Sequence, residues 1–123
     1  MEFNEIKSYE EAFIAGYGDG GFRMGENRFE GSMLITPAGF YPWDVQVKEE
    51  INLKNLDPIL RAPNVELLIV GTGESLFFLN KEIRQAFSKA GIAIEVMDTG
   101  AAARTYNVLL QEGRNVTAAL IAI

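Results

Sequence analysis

The sequence predicts an α/β domain with parallel neighbouring strands in its second half and antiparallel β structure contributed by its first half. Three observations carry that expectation. From residue 52 the elements read α-β-α-β-α-β with short connections, which favours a sheet with helices packed on it and right-handed crossovers. Residues 28–36 and again 43–48 alternate apolar and polar side chains, as half-buried strands do. The apolar runs Val65–Val70 and Val116–Ile123 are nearly continuous, as expected for strands buried on both faces.

The elements follow in chain order. Residues 1–20 begin with mixed polarity and end in the glycine-dense run Ala15–Gly21, read as a mobile lead-in to the first strand. No helix signal follows it, so it is not a phosphate loop. Gly21–Met24 and Arg28–Thr36 flank Gly25-Glu26-Asn27 as a β-hairpin, with Phe29, Gly31, Met33 and Ile35 on one face. Thr36-Pro37-Ala38-Gly39 breaks the strand. Alternation then resumes as Trp43, Val45 and Val47, which predicts a third strand with Trp43 as core or rim packing. Asn52 caps a helix carrying Leu53, Leu56, Ile59 and Leu60, ended by Pro63. Val65–Val70 is a central strand closed by Gly71-Thr72-Gly73. Asn80 caps a second helix with Ile83, Ala86, Phe87 and Ala90 on one face and Gly91 just past its end. Ile92–Met97 reads as a second buried strand, Thr99–Glu112 as a third helix stopped by Gly113, and Val116–Ile123 as a strand in the sheet interior. One domain spans residues 1–123.

Composition narrows the chemistry. The 123 residues contain no cysteine and no histidine, which removes disulfides, thiolate nucleophiles, His-based triads and ordinary zinc centres. At 48% hydrophobic, the chain is able to bury a core without metal or disulfide staples. A net charge of −6 argues against nucleic acid, which requires a concentrated basic patch. The apolar runs are too short for a membrane span, and the acidic start MEFNEIKSYEEAF resembles neither a secretory signal nor a transit peptide. A cytoplasmic location, no membrane insertion and no cofactor or metal are expected.

The polar residues that stand out gather in and beside Met97–Arg114. If Val65–Val70 and Ile92–Met97 are parallel neighbours, Gly71-Thr72-Gly73 and Asp98-Thr99-Gly100 emerge at one carboxyl edge of the sheet, where open α/β sheets bind ligands. The glycines admit an anion close to the backbone, and the third helix offers its positive N-terminus beside Thr99. The same turns serve equally as caps. Spacing at about 100° per residue puts Ala102, Ala103, Tyr106, Leu109 and Leu110 on the core side, with the Tyr106 hydroxyl at the rim. Arg104, Asn107 and Gln111 fall on the other side, and Arg104 with Asn107 is spaced to hold a carboxylate, a phosphate or a partner's surface. Glu112 runs against the helix dipole and is a candidate to pair with Arg114 or Arg104. Asp98 and Glu112 stand at opposite ends of a helix about 20 Å long, so they form no acid/base pair.

The strings G-F-R-M, F-E-G-S-M-L-I-T-P, L-L-I-V-G-T-G and M-D-T-G-A-A-A-R-T-Y-N-V-L-L-Q-E-G-R-N-V, together with Trp43, resemble the small Mth-like domain family of unknown function. That family includes a mitochondrial respiratory complex I assembly factor and an adipogenesis-associated cytosolic protein. The resemblance implies a three-layer α/β fold with a mixed central sheet and a smaller β layer, and no established reaction. Gly71, Gly73, Thr99, Ala102, Tyr106, Asn107, Glu112 and Arg114 match the family's recurring pattern.

Two functional expectations follow. The first is a non-enzymatic, assembly-factor-like binding module whose surface at Gly71, Thr72, Gly73, Asp98, Thr99, Arg104, Asn107, Glu112 and Arg114 engages a protein partner or a small anionic ligand. The second is a small enzyme acting on an anionic substrate between the two turns, with Asp98 as acid/base and Arg104 or Arg114 as anchor.

Overall fold

A computed structural model describes residues 3–123. Its elements are β1 (Asn4–Glu5), α1 (Tyr9–Ala12), β2 (Ile14–Gly18), β3 (Gly21–Met24), β4 (Asn27–Glu30), β5 (Met33–Ile35), β6 (Gly39–Pro42), α2 (Leu53–Arg61), β7 (Leu67–Gly71), α3 (Lys81–Lys89), β8 (Ala93–Met97), α4 (Thr99–Gln111) and β9 (Thr117–Leu120). A six-stranded mixed sheet runs in the order β1-β6-β5-β9-β7-β8, and β2-β3-β4 forms a separate antiparallel sheet. Strand β7 is parallel to both β8 and β9, whereas β5 pairs antiparallel with β9 and β6. The expected fold class is therefore observed.

Period-two alternation of the central strands builds the layers. Leu34, Leu68, Val70 and Ala119 point to one face, where Leu56 and Ile59 of α2 and Ile83 and Phe87 of α3 cover them. Their neighbours Met33, Ile35, Ile69, Ala118 and Leu120 point to the other face, against α4 and the small sheet's Ile14, Phe22 and Met24. Both faces are buried, which explains the near-continuous apolar character of β7 and β9.

The three long helices begin where side-chain caps allow. Asn52, Asn80 and Asp98 have extended backbone and accept the N–H three residues on, at Asn55, Ile83 and Ala101. In α2 the Asn55 side chain also accepts the Asn52 N–H, a reciprocal box. Asn52→Ala is expected to lower stability by about 1 kcal/mol in urea unfolding, the usual worth of such a cap. Helix α4 ends at Gln111 with Glu112 as its C-cap, and Gly113 follows at φ +77°, a left-handed turn that glycine adopts without strain.

Four expectations change. The run Ala15–Gly21 is not a lead-in: most of it is strand β2, paired with β3 through a register irregularity between Ile14 and Gly16. The run Arg28–Thr36 is two strands in two sheets, broken at Gly31, whose φ of +85° turns the chain. No strand spans Trp43–Lys48. The strand is Gly39–Pro42, placed by the Thr36–Gly39 turn so that Phe40 faces Ile35. Trp43 and Val45 still join the core from irregular backbone, and Trp43 Nε1–H donates to the Asn55 carbonyl. Finally, β8 is a half-exposed edge strand, since among the described residues only β7 pairs with it.

Candidate functional site

The turns after β7 and β8 do emerge side by side, as the parallel register requires. They are fastened to each other. Thr72 N–H donates to the Met97 carbonyl at 2.9 Å, and Thr99 N–H donates to the Gly73 carbonyl at 2.8 Å. The fully buried Thr99 hydroxyl accepts the Gly73 N–H at 2.9 Å and donates to the Ile121 carbonyl at 2.7 Å. The Thr72 hydroxyl sits 2.7 Å from the Ser75 carbonyl and 3.2 Å from that of Met97. Asp98 uses Oδ1 to accept the Ala101 N–H, as a helix cap. A Cβ at Gly71 would stand 3.0 Å from both Thr99 Cα and Leu120 Cδ2, so glycine is what lets these chains approach. The Thr99 side chain thus occupies the space between the two turns.

The far side of α4 is covered by the N-terminal segment. Asn107 accepts the Ile14 N–H through Oδ1 at 2.9 Å and donates through Nδ2 to the Ile14 carbonyl at 2.8 Å. Its amide therefore pairs with β2 as a neighbouring strand would. Arg104 Nη1 donates to the Tyr17 hydroxyl at 2.7 Å. Tyr106 is buried, and its hydroxyl donates to the Ala12 carbonyl instead of lying at a solvent rim. Three of the four side chains from Arg104 to Asn107 thus hold residues 12–17 against the helix.

Burial pushes the Tyr106 phenol well above its ordinary value, with Tyr9 adding to the shift. The fold favours the neutral phenol, so this stabilisation is complete below about pH 10 and is lost as pH climbs above that toward the raised value. Tyr106→Phe is expected to flatten the alkaline fall in stability, read by urea unfolding at about pH 9 and about pH 11. The contribution of Tyr41, also raised by burial, remains.

Glu112 and Arg114 are exposed at the end of α4. The ion pairs among the described residues are Arg28–Glu30 and Arg61–Asp57, so the expected pairing of Glu112 with an arginine is not formed. Arg114 borders a cavity of about 350 Å³ with Lys7, Tyr9, Ala12 and Leu110. Arg104, Asn107 and Arg114 thus meet three different parts of the N-terminal segment and share no single concave surface.

The carboxyl edge of β7 carries a feature that sequence reading passed over. Between Gly73 and the Asn80 cap, the chain Glu74–Leu79 is irregular and holds Leu76 at 51% and Phe78 at 82% exposure. Val47, 52% exposed, stands beside Ser75 across a groove of about 330 Å³ that also touches Thr72, Gly73 and Ile121. The segment is pinned despite its irregularity. Lys48 Nζ donates to Ser75 Oγ at 2.7 Å and lies 5.9 Å from the centre of the Phe77 ring, while Leu79 is buried. Glu50 accepts the Gln46 and Val47 N–H groups at 2.7 and 3.1 Å, which fixes Val47 and holds the Glu50 carboxyl below its ordinary range. The available signal was the aperiodic run Leu76-Phe77-Phe78 in a loop position; Phe77 packs against the core, and Leu76 and Phe78 stay exposed.

Residues 14–121 match a family described as a protein of unknown function (DUF498/DUF598). The chain belongs to this family. It is similar to NADH dehydrogenase (ubiquinone) 1 alpha subcomplex assembly factor 3 of Xenopus tropicalis, 35% identical over 118 residues. That match covers 95% of this chain and 64% of the relative, so the chain spans under two thirds of the relative's length. A solved structure titled as an outer membrane protein from Bartonella henselae superposes with a TM-score of 0.85 at 37% identity, covering 91% of this chain and 95% of the other. A Bordetella pertussis protein described as a Mth938-like domain gives 0.80 at 29% identity, covering 99% and 92%. The resemblance to the Mth-like family and its fold therefore holds. Among the described residues, no helix is long and apolar enough to cross a membrane.

Proposed function

We propose that this DUF498 domain is a protein-binding, assembly-factor-like module whose docking surface is the carboxyl edge of β7, centred on Phe78 with Leu76 and Val47. The observation that carries this reading is the pinned, exposed apolar loop. Burying a side chain of phenylalanine size is worth roughly 1.5–3 kcal/mol, and here that gain is left for a partner. The neighbouring polar constellation supports the same reading from the other side. Thr99 and Asn107 make their hydrogen bonds inside the domain and Asp98 caps α4, so these three offer a partner less than the exposed apolar loop does. The relatives named as assembly factors supply the class of role. A cytoplasmic site of action goes with this proposal.

The test is capture from native lysate on the immobilised domain, followed by affinity measurement with the purified partner. Phe78→Ser is expected to weaken binding at least about tenfold, as loss of a central aromatic anchor does, without changing the melting temperature. A specific partner whose affinity ignores both Phe78→Ser and Leu76→Ser overturns the assignment, as does capture of no specific partner at all.

A further inference from the structure

We propose that β8 is a strand-addition site for an extended partner segment in which a basic residue lies between two apolar ones. The backbone direction of β8 opens the site. Ala93 N–H donates to the Glu66 carbonyl at 3.0 Å, and the Met97 carbonyl accepts Thr72 N–H at 2.9 Å. In a parallel pair, alternate residues turn both backbone groups to the same neighbour. Ala93, Glu95 and Met97 therefore face β7, and Ile94 and Val96 turn their N–H and carbonyl groups outward at the end of the sheet. Such a row of open groups is a template for another strand.

Side chains on the two faces of β8 specify what that strand carries. Ile94 and Val96, half-buried against the α2–α3 core, line a groove of about 310 Å³ with Arg84, Ser88 and Ile92. Residues opposite them on an added strand point into this groove and are apolar. Glu95 is exposed on the other face, so the intervening residue of the partner lies across from a carboxylate. Opposite charges there attract and like charges repel. This disfavours the symmetric pairing of two copies that uses both Ile94 and Val96, because it sets Glu95 against Glu95. A basic residue satisfies the position, in keeping with the chain's net charge of −6.

The edge is separate from the Leu76–Phe78 loop. A failed peptide titration leaves the loop reading standing, and a failed capture leaves the edge standing. The probe is the blocked pentapeptide Thr-Val-Lys-Val-Thr, titrated into the isotope-labelled domain and followed by amide NMR. The Ile94 and Val96 amide signals are expected to shift and to gain exchange protection. Replacing the peptide lysine with glutamate is expected to weaken binding roughly fivefold, and Glu95→Lys to reverse that order, which a merely misfolded variant does not do. Unmoved Ile94 and Val96 amides, or equal affinity for the two peptides, overturn the proposal. Shifts of the same amides with protein concentration alone overturn it in favour of a second copy.

Discussion

Asn107→Leu is expected to lower the stability of the domain by about 3 kcal/mol, with no ligand or partner present. The side-chain amide satisfies both the N–H and the carbonyl of Ile14, so removing it strands two part-buried backbone groups at once. Each such loss costs roughly 1–3 kcal/mol, and leucine's apolar area does not restore either bond. Asn107→Asp keeps the acceptor for Ile14 N–H but sets a carboxylate against the Ile14 carbonyl, so it is expected to recover little. Urea midpoints compared at constant m-value check this. An unchanged midpoint shows that Asn107 does not hold β2.

Thr99→Val is expected to cost a similar ~2–4 kcal/mol although it preserves shape. Its hydroxyl is the shared partner of Gly73 N–H and the Ile121 carbonyl, both at normal hydrogen-bond distance in a site closed to solvent. Thr99→Ser keeps both bonds and loses one methyl group, so it is expected to cost no more than ~1 kcal/mol. That ordering separates a hydrogen-bonding role from simple packing. If valine and serine are equally destabilising, the two turns are joined by packing alone.

Much of the second half was legible because its signals are local. Asn52, Asn80 and Asp98 announce helix starts, Gly113 announces an end, and the unbroken apolar run of β7 marks a strand with two covered faces. The first half misled where a distant partner decides. Alternation in Trp43, Val45 and Val47 is satisfied by irregular backbone with two side chains in the core and one in solvent. Gly39–Pro42 is a strand only because β5 and β1 flank it. Likewise, β8 looked buried since Ile94 and Val96 are apolar, yet among the described residues no strand lies beyond it.

The candidate site shows the same division. Helical spacing correctly separated Ala102, Ala103 and Tyr106 from Arg104 and Asn107. It carried no information on what covers the second set, because β2 lies 93 residues earlier in the chain at the Asn107–Ile14 contact. Parallel pairing of the two turns was anticipated from their strands, while the hydroxyl of Thr99 between them depends on side-chain geometry. Leu76 and Phe78 escaped notice for a different reason: periodicity reads elements, and their segment belongs to none.

Direct comparison of Phe78→Ser with Arg104→Ala in binding to the captured partner tests the account most directly. Arg104 is exposed and reaches only Tyr17, so its loss is expected to leave affinity within about twofold, against at least about tenfold for Phe78. Full affinity in Phe78→Ser together with a tenfold loss in Arg104→Ala would place the docking surface on α4 and contradict the account.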